Sequence, residues 1–382
     1  MKKINYLLLL LLNVINFSCN TDNSEEEIFN PKITYINDTC FGIQEEVKLG
    51  GTDLDVIDEI KIGSETIRVL FSSPDSNSFK IPLSIATGEY NLILKSTDNE
   101  IEYVYPKTIY VEGLGNWSLV NSDFPGEPRN SALSFVIDKF LYFGGDGSLS
   151  DFWKLNLETS EWTQLSDFDS GVTSSTAVNN TEGYVINTTN DFYKYSPETD
   201  SWVELASIPN RTAYYTLASV NEEIFALVGN NNDESQLWAY SKAEDSWRLI
   251  LGNQPNIGQS PRLFVIDETL YAGFSNSSKV LYKYNNNENE FIEYLSSEYY
   301  YFGFHSFSSS EGFLGEAWGN SSGTGLQINY NTFVINMSCN KIFEKRSVPI
   351  PTSSDFYTAF TYDGDLYVGL NSSTNQIFKL DR

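Results

Sequence analysis

Phe192-Tyr-Lys-Tyr-Ser-Pro-Glu-Thr-Asp-Ser-Trp202 decides how this chain folds, because near copies of it recur at an almost fixed interval. Phe152 to Trp162 stands 40 residues before it, Leu237 to Trp247 stands 45 after it, and Leu281 to Phe291 another 44 further on, with Phe291 in the Trp place. Each copy is an alternating apolar run, a polar turn, and an aromatic residue that opens the next run, which is a β-hairpin. Some seventeen residues ahead of each Trp comes an apolar run ending in Gly: Phe140 to Gly145, Ile224 to Gly229, Thr269 to Gly273 and Asp365 to Gly369. A short turn joins each of these to a strand before it, as at Val136-Ile-Asp-Lys139 and Val265-Ile-Asp-Glu268. Four antiparallel strands repeated at this period make one blade of a radial β architecture.

These residues resemble the kelch repeat: Gly closing the second strand, an aromatic-x-Tyr/Leu third strand, Trp seven residues later, and Pro with Arg at the head of the next blade. Arg129, Arg211 and Arg262 occupy that last position. The resemblance runs from Gly115 to Arg382 and implies a six-bladed kelch-type β-propeller. Val185-Ile-Asn187 departs from it where Gly is expected, and Met337 takes the Trp place of the fifth unit. Trp117 has no three strands ahead of it, while Ile377 to Leu380 matches a third strand that lacks its Trp. The sixth blade is therefore expected to form by pairing of the N- and C-terminal strands.

Residues 31–112 carry no kelch signal. Period-two runs such as Glu46 to Leu49, Tyr90 to Leu94 and Lys107 to Val111, separated by turn residues, predict a small β-sandwich. Gly50-Gly51 and Thr87-Gly-Glu-Tyr90 give it a resemblance to the IPT/TIG Ig-like domain, so the fold class is all-β in two domains. The expected role of the first domain is a spacer or a docking face.

Residues 1–18 read as an export signal: Lys2 and Lys3, then an apolar run too short to span a bilayer. Ser18-Cys19 resembles a lipoprotein cleavage site, which implies lipidation of Cys19 and anchoring without a spanning helix. Residues 19–30 are polar and acidic and are expected to form a flexible tether. An acidic start resembles the signal that sends some lipoproteins to the cell surface, so the expected location is the outer membrane. Removing residues 1–18 leaves 22 basic against 51 acidic side chains, a net charge of −29. Such a chain repels phosphate backbones and disfavours nucleic acid as a partner.

His305 is the only histidine, which disfavours His-based metal sites and hydrolytic triads. No catalytic residue, metal or cofactor is assigned. Cys40 and Cys339 are expected to be two separate thiols, since nothing in the sequence brings them together. The loops Gly144 to Ser150, Gly229 to Gln236 and Gly319 to Gly325 are rich in Gly, Asn, Ser and Asp and suit hydroxyl hydrogen bonds. Beside the last of them, Tyr299, Tyr301, Glu316 and Trp318 combine flat aromatic faces with a carboxylate, which is what sugar rings need. The competing reading is that these aromatics pack between blades. The function expected is recognition of glycan, or of a protein partner, at the cell envelope. The alternative is a kelch-type mutarotase or epimerase in which Arg129, Arg211 and Arg262 hold an acidic sugar, against bracing of blade loops by the same arginines.

Overall fold

The computed structural model describes residues 30–98, 101–130, 132–169, 171, 173–209, 214–229, 234–254, 257, 262–273, 278–297, 313–317, 331–350 and 358–382. Every regular element among them is a strand, apart from a single 3-10 turn at Leu54–Val56.

Residues 32–112 form two sheets. Lys32–Ile36, Glu46–Thr52, Ser76–Lys80 and Phe71–Ser73 make the first, in that spatial order. Cys40–Gly42, Ile101–Glu112, Gly88–Ser96, Glu59–Ile62 and Glu65–Arg68 make the second. The period-two runs put Val47, Leu49 and Phe79 of one sheet against Ile60, Leu92, Leu94 and Ile109 of the other, all at most 1% exposed. Alternation thus translates directly into one shared core.

Five four-stranded antiparallel sheets and one of three strands follow among the described residues. The first is Leu133–Ile137, Phe140–Gly144, Phe152–Asn156 and Trp162–Leu165; the second spans 173–205, the third 214–254 and the fourth 262–296. The fifth contains Phe313–Ala317, Asn331–Asn336 and Lys341–Glu344. In the sixth, Thr358–Tyr362, Asp365–Asn371 and Thr374–Asp381 are completed by Asn116–Asn121, with Trp117 opposite Leu380. The two ends of the repeat region therefore share one sheet. First strands of sheets one and two, two and three, three and four, and six and one lie side by side, giving a propeller-like ring.

Two local devices explain the repeated residues. A Cβ on Gly144 would stand 2.3 Å from the Asp151 carbonyl oxygen, and one on Gly273 would stand 2.2 Å from that of Val280, so only glycine lets the third strand cross there. At the head of three outer strands the Trp reaches back to what precedes it: Trp162 Nε1 donates to Asn121 at 3.1 Å, Trp247 Nε1 to the Ala206 carbonyl at 2.8 Å and Trp117 Nε1 to the Arg346 carbonyl at 2.9 Å. The turn before it forms a second latch. Tyr240 OH donates to Asp245 at 2.7 Å, and Asp245 accepts the Ala206 N–H at 2.9 Å; Tyr195, Asp200 and Ser166 repeat the arrangement one sheet earlier.

Two expectations are corrected. Met337 does not take the Trp place of the fifth unit. Third-strand residues Leu155, Tyr195, Tyr240 and Tyr284 face Trp162, Trp202, Trp247 and Phe291, and their counterpart Ile335 faces Ile342. The offset is seven residues in all five pairs, so the Trp place falls on Ile342, which carries no aromatic ring to mark it. Nor are Cys40 and Cys339 separate thiols: they form a disulfide with Cα atoms 5.7 Å apart across 299 residues. The reason lies in the packing of the fifth sheet against the first domain, which no local pattern encodes.

That junction is built on charge as well. Lys345, fully buried, donates to Glu112 Oε1 at 2.5 Å and to the Gly113 carbonyl at 2.6 Å. Glu112 also accepts Tyr110 OH at 2.6 Å and Thr87 Oγ1 at 3.2 Å. Burial alone would raise the Glu112 pKa, but Lys345 and Tyr110 hold it below the usual carboxylate range. Desolvation pulls Lys345 downward against the same carboxylate, and a carboxylate and a carbonyl at this distance keep the ammonium charged. At the edge of the contact Lys341 pairs with Asp38 at 2.6 Å and donates to the Cys40 carbonyl at 2.8 Å.

Candidate functional site

Among the arginines at the blade heads, Arg129 is 2% exposed and engaged on every nitrogen. Its two terminal nitrogens reach Asp151 at 2.7 and 2.8 Å, Nε donates to the Glu127 carbonyl at 3.0 Å, and the Phe124 ring lies 5.4 Å from its guanidinium carbon. Burial would raise the Asp151 pKa, yet the Arg129 fork and the Trp153 indole N–H hold it low. The geometry is that of a brace between loops, with all three nitrogens and four of the five N–H groups engaged.

Arg262 differs. It opens the first strand of the fourth sheet, opposite Gly273, and is half-buried. Among the described residues no carboxylate pairs with it, and desolvation pulls its pKa below the ordinary value. A guanidinium held this way attracts an anion. Arg211, Tyr299, Tyr301 and Trp318 lie outside the described residues, as does Cys19. Glu316 belongs to the second strand of the fifth sheet, in register with Thr332. Of the four sequence-predicted glycan residues, only Glu316 falls within the described residues.

At the other end of the sheets, a cleft of about 160 Å³ opens between the third and fourth. The turns that close strands one and two of each sheet supply Asn221, Glu223 and Glu268, the strands behind them Phe225 and Tyr284, and the next hairpin Asn286. Asn221 and Glu268 are held at positive φ, 50° and 56°, where a non-glycine residue is uncommon. Tyr284 is fixed by its hydroxyl, which donates to Asn289 at 2.6 Å. Glu223 makes a 3.4 Å contact with Arg248, both side chains being largely exposed. Sequence reasoning missed this cleft because its residues are ordinary hairpin-turn residues, and only a comparison of the repeats with one another singles them out. Among the described residues no group of three or more His, Cys, Asp or Glu could hold a metal ion, and no helix is long and apolar enough to cross a membrane.

The sequence matches no protein-family model and no curated protein. Solved structures do match. The structure of YjhT aligns with a TM-score of 0.53 at 14% identity, over 68% of this chain and 96% of its own. A protein of unknown function from Bacteroides thetaiotaomicron aligns at 0.49 and 12% identity, covering 92% of this chain and 98% of its own. An auxiliary nutrient binding protein from Bacteroides ovatus aligns at 0.48 and 12%, covering 92% and 97%. At such identities the likeness to YjhT concerns the fold, which agrees with the propeller-like arrangement of four-stranded sheets.

Proposed function

We propose that this chain is a lipid-anchored recognition protein of the outer membrane that binds glycan through the face of a six-bladed propeller. On this reading residues 1–18 are a signal peptide, Cys19 carries the lipid, 19–30 are a tether, 31–112 an Ig-like domain and 115–382 a kelch propeller. The observation that carries the binding reading is the division of labour within each repeat. Trp, Gly and Asp residues recur to latch sheets together, while the loops between second and third strands differ in sequence from repeat to repeat and are rich in hydroxyl-pairing side chains. Trp318, Glu316, Tyr299 and Tyr301 are the residues assigned to the surface.

Replacing Trp318 with Ala tests the assignment. Loss of a stacking aromatic should weaken glycan binding by roughly 1 to 3 kcal/mol with the melting temperature unchanged, taking base stacking as the nearest analogue. A variant that unfolds, or that binds as tightly as the wild type, removes Trp318 from the site.

One observation favours a second reading, an anomer-exchanging enzyme for acidic sugars: Arg262 is a half-buried cation with no carboxylate partner among the described residues. Arg129, bound on every nitrogen, supports bracing instead and counts against a three-arginine carboxylate clamp. An assay of anomer exchange on uronic and sialic-type sugars discriminates, since turnover that disappears in Arg262→Met would replace the recognition reading.

A further inference from the structure

The cleft between the third and fourth sheets lacks an acid–lysine pair that the second and sixth sheets keep. On the second strand, the residue two places before the one opposite the third-strand lysine faces that lysine. In the second sheet Glu182 meets Lys194 at 2.7 Å, and in the sixth Asp365 meets Lys379 at 2.5 Å. In the first sheet the Lys154 ammonium stands 5.2 Å from the Phe140 ring centre. The third sheet keeps the acid, Glu223, but Ala239 stands where the lysine belongs, opposite Phe225. The fourth keeps Lys283 opposite Tyr271 and has Thr269 in place of the acid. With that lysine and that acid missing at adjacent sheets, Glu223 faces the cleft with only the exposed Arg248, 3.4 Å away, in place of a cross-strand lysine. Glu268 adds a second carboxylate that forms no ion pair among the described residues.

We propose that this cleft is a second sugar site, selective for a single hexose ring that bears a free amine over one that bears a carboxylate. Its volume of about 160 Å³ exceeds the roughly 10 to 15 Å³ that one water needs by an order of magnitude, which suits one ring and not a chain. Phe225 and Tyr284 offer apolar ring surface, Asn221 and Asn286 offer amides for hydroxyls, and the two carboxylates draw the amine. The class of ligand rests on the proposed function; the position and the charge preference rest on the cleft itself. The site stands at the opposite end of the sheets from the loops between second and third strands, so the molecule would grip a branched or cross-linked glycan from two faces.

The test is saturation-transfer NMR on the full chain with D-glucosamine, D-glucose and D-glucuronate as probes. Glucosamine should bind best and glucuronate worst. The double variant Glu223→Gln, Glu268→Gln should lose about ten-fold in affinity for glucosamine, the size of one charge-assisted hydrogen bond, and little for glucose. Ala239→Lys, which introduces the residue that the first, second, fourth and sixth sheets carry there, should lower glucosamine binding in the same way by neutralising Glu223. If the glutamine variant binds glucosamine as the wild type does while Trp318→Ala does not, the cleft is not the site and the glycan reading survives. If none of the three sugars binds, or glucuronate binds as well as glucosamine, the proposal falls, in the first case together with the glycan reading.

Discussion

Replacing Lys345 with Met separates the junction between the two domains into its electrostatic parts. The ammonium it removes is fully buried and has two short partners, the Glu112 carboxylate and the Gly113 carbonyl. The methionine fills similar space, so the cost is that of leaving Glu112, 1% exposed, with only Tyr110 and Thr87 as donors. Removing one member of a buried ion pair costs about 3 to 5 kcal/mol. The variant can escape part of this by protonating Glu112, which at pH 7 costs about 3.7 kcal/mol for a group with an unfolded value of roughly 4.3, so the deficit is capped near that figure.

The sign of the pH effect follows. In the wild type the Glu112 pKa is depressed, so its contribution is present above the unfolded value and lost as pH falls through the folded one. In the variant the uncompensated carboxylate is raised, the folded state binds the proton more tightly, and stability grows as pH falls. The difference between the two proteins should therefore shrink by about 1.4 kcal/mol per unit between pH 7 and pH 5. Urea unfolding followed by far-UV circular dichroism measures it. All seven tryptophans lie beyond residue 115, so fluorescence reports the repeat region separately. A deficit below half a kcal/mol at pH 7, or one that does not change with pH, would refute the electrostatic account; Lys345→Met with Glu112→Leu should recover most of the loss.

Deleting residues 375–382 removes Ile377, Phe378 and Leu380 from the core and unpairs Asn116–Asn121, a loss of roughly 5 to 9 kcal/mol in apolar burial alone. Since a domain is stable by about 5 to 15 kcal/mol, the whole repeat region should melt, and a truncated protein with an unchanged thermal transition would sever closure from stability. Asp245→Asn tests the inter-sheet latch. The Ala206 N–H and Tyr240 OH hold that carboxylate below its usual range, so the substitution should cost no more than about 1 kcal/mol at this exposed site and only above pH 4, where thermal melts can resolve it.

The repeat region was legible because its cues are local. A Gly that clears a crossing carbonyl and a Trp that answers a third-strand aromatic stand at fixed offsets, so the Trp and Gly positions expose the repeat even where one fails. Asn187 fills the Gly place in the second sheet by bonding its side chain to the Thr189 N–H at 3.0 Å and Asp191 Oδ2 at 3.0 Å. Where the cue is lost, as in the fifth sheet, the register slipped in reading from Ile342 to Met337. The three-residue strands Cys40–Gly42 and Phe71–Ser73 were illegible because alternation needs more length than they have. The junction was illegible for another reason: Cys40 with Cys339, and Glu112 with Lys345, are joined only by tertiary packing. For the sites, the bracing role of Arg129 was anticipated. The cleft at Glu223 was not, because a missing lysine is visible only when repeats are superimposed.

The Cys40–Cys339 bond also decides how the molecule carries force. A pull applied on the N-terminal side of Lys32 reaches Cys40 after one strand, Lys32–Ile36, and passes through the sulfurs to Cys339. The chain between them, a sequence separation of 299 and roughly 1,000 Å when extended at about 3.5 Å per residue, lies in parallel with that covalent path and cannot be drawn out in series. Tension between the chain ends falls instead on the sixth sheet, whose three C-terminal strands lie beyond Cys339 and whose outer strand lies within the loop. Under load that sheet would part first, and the bond would keep sheets one to four out of the line of force.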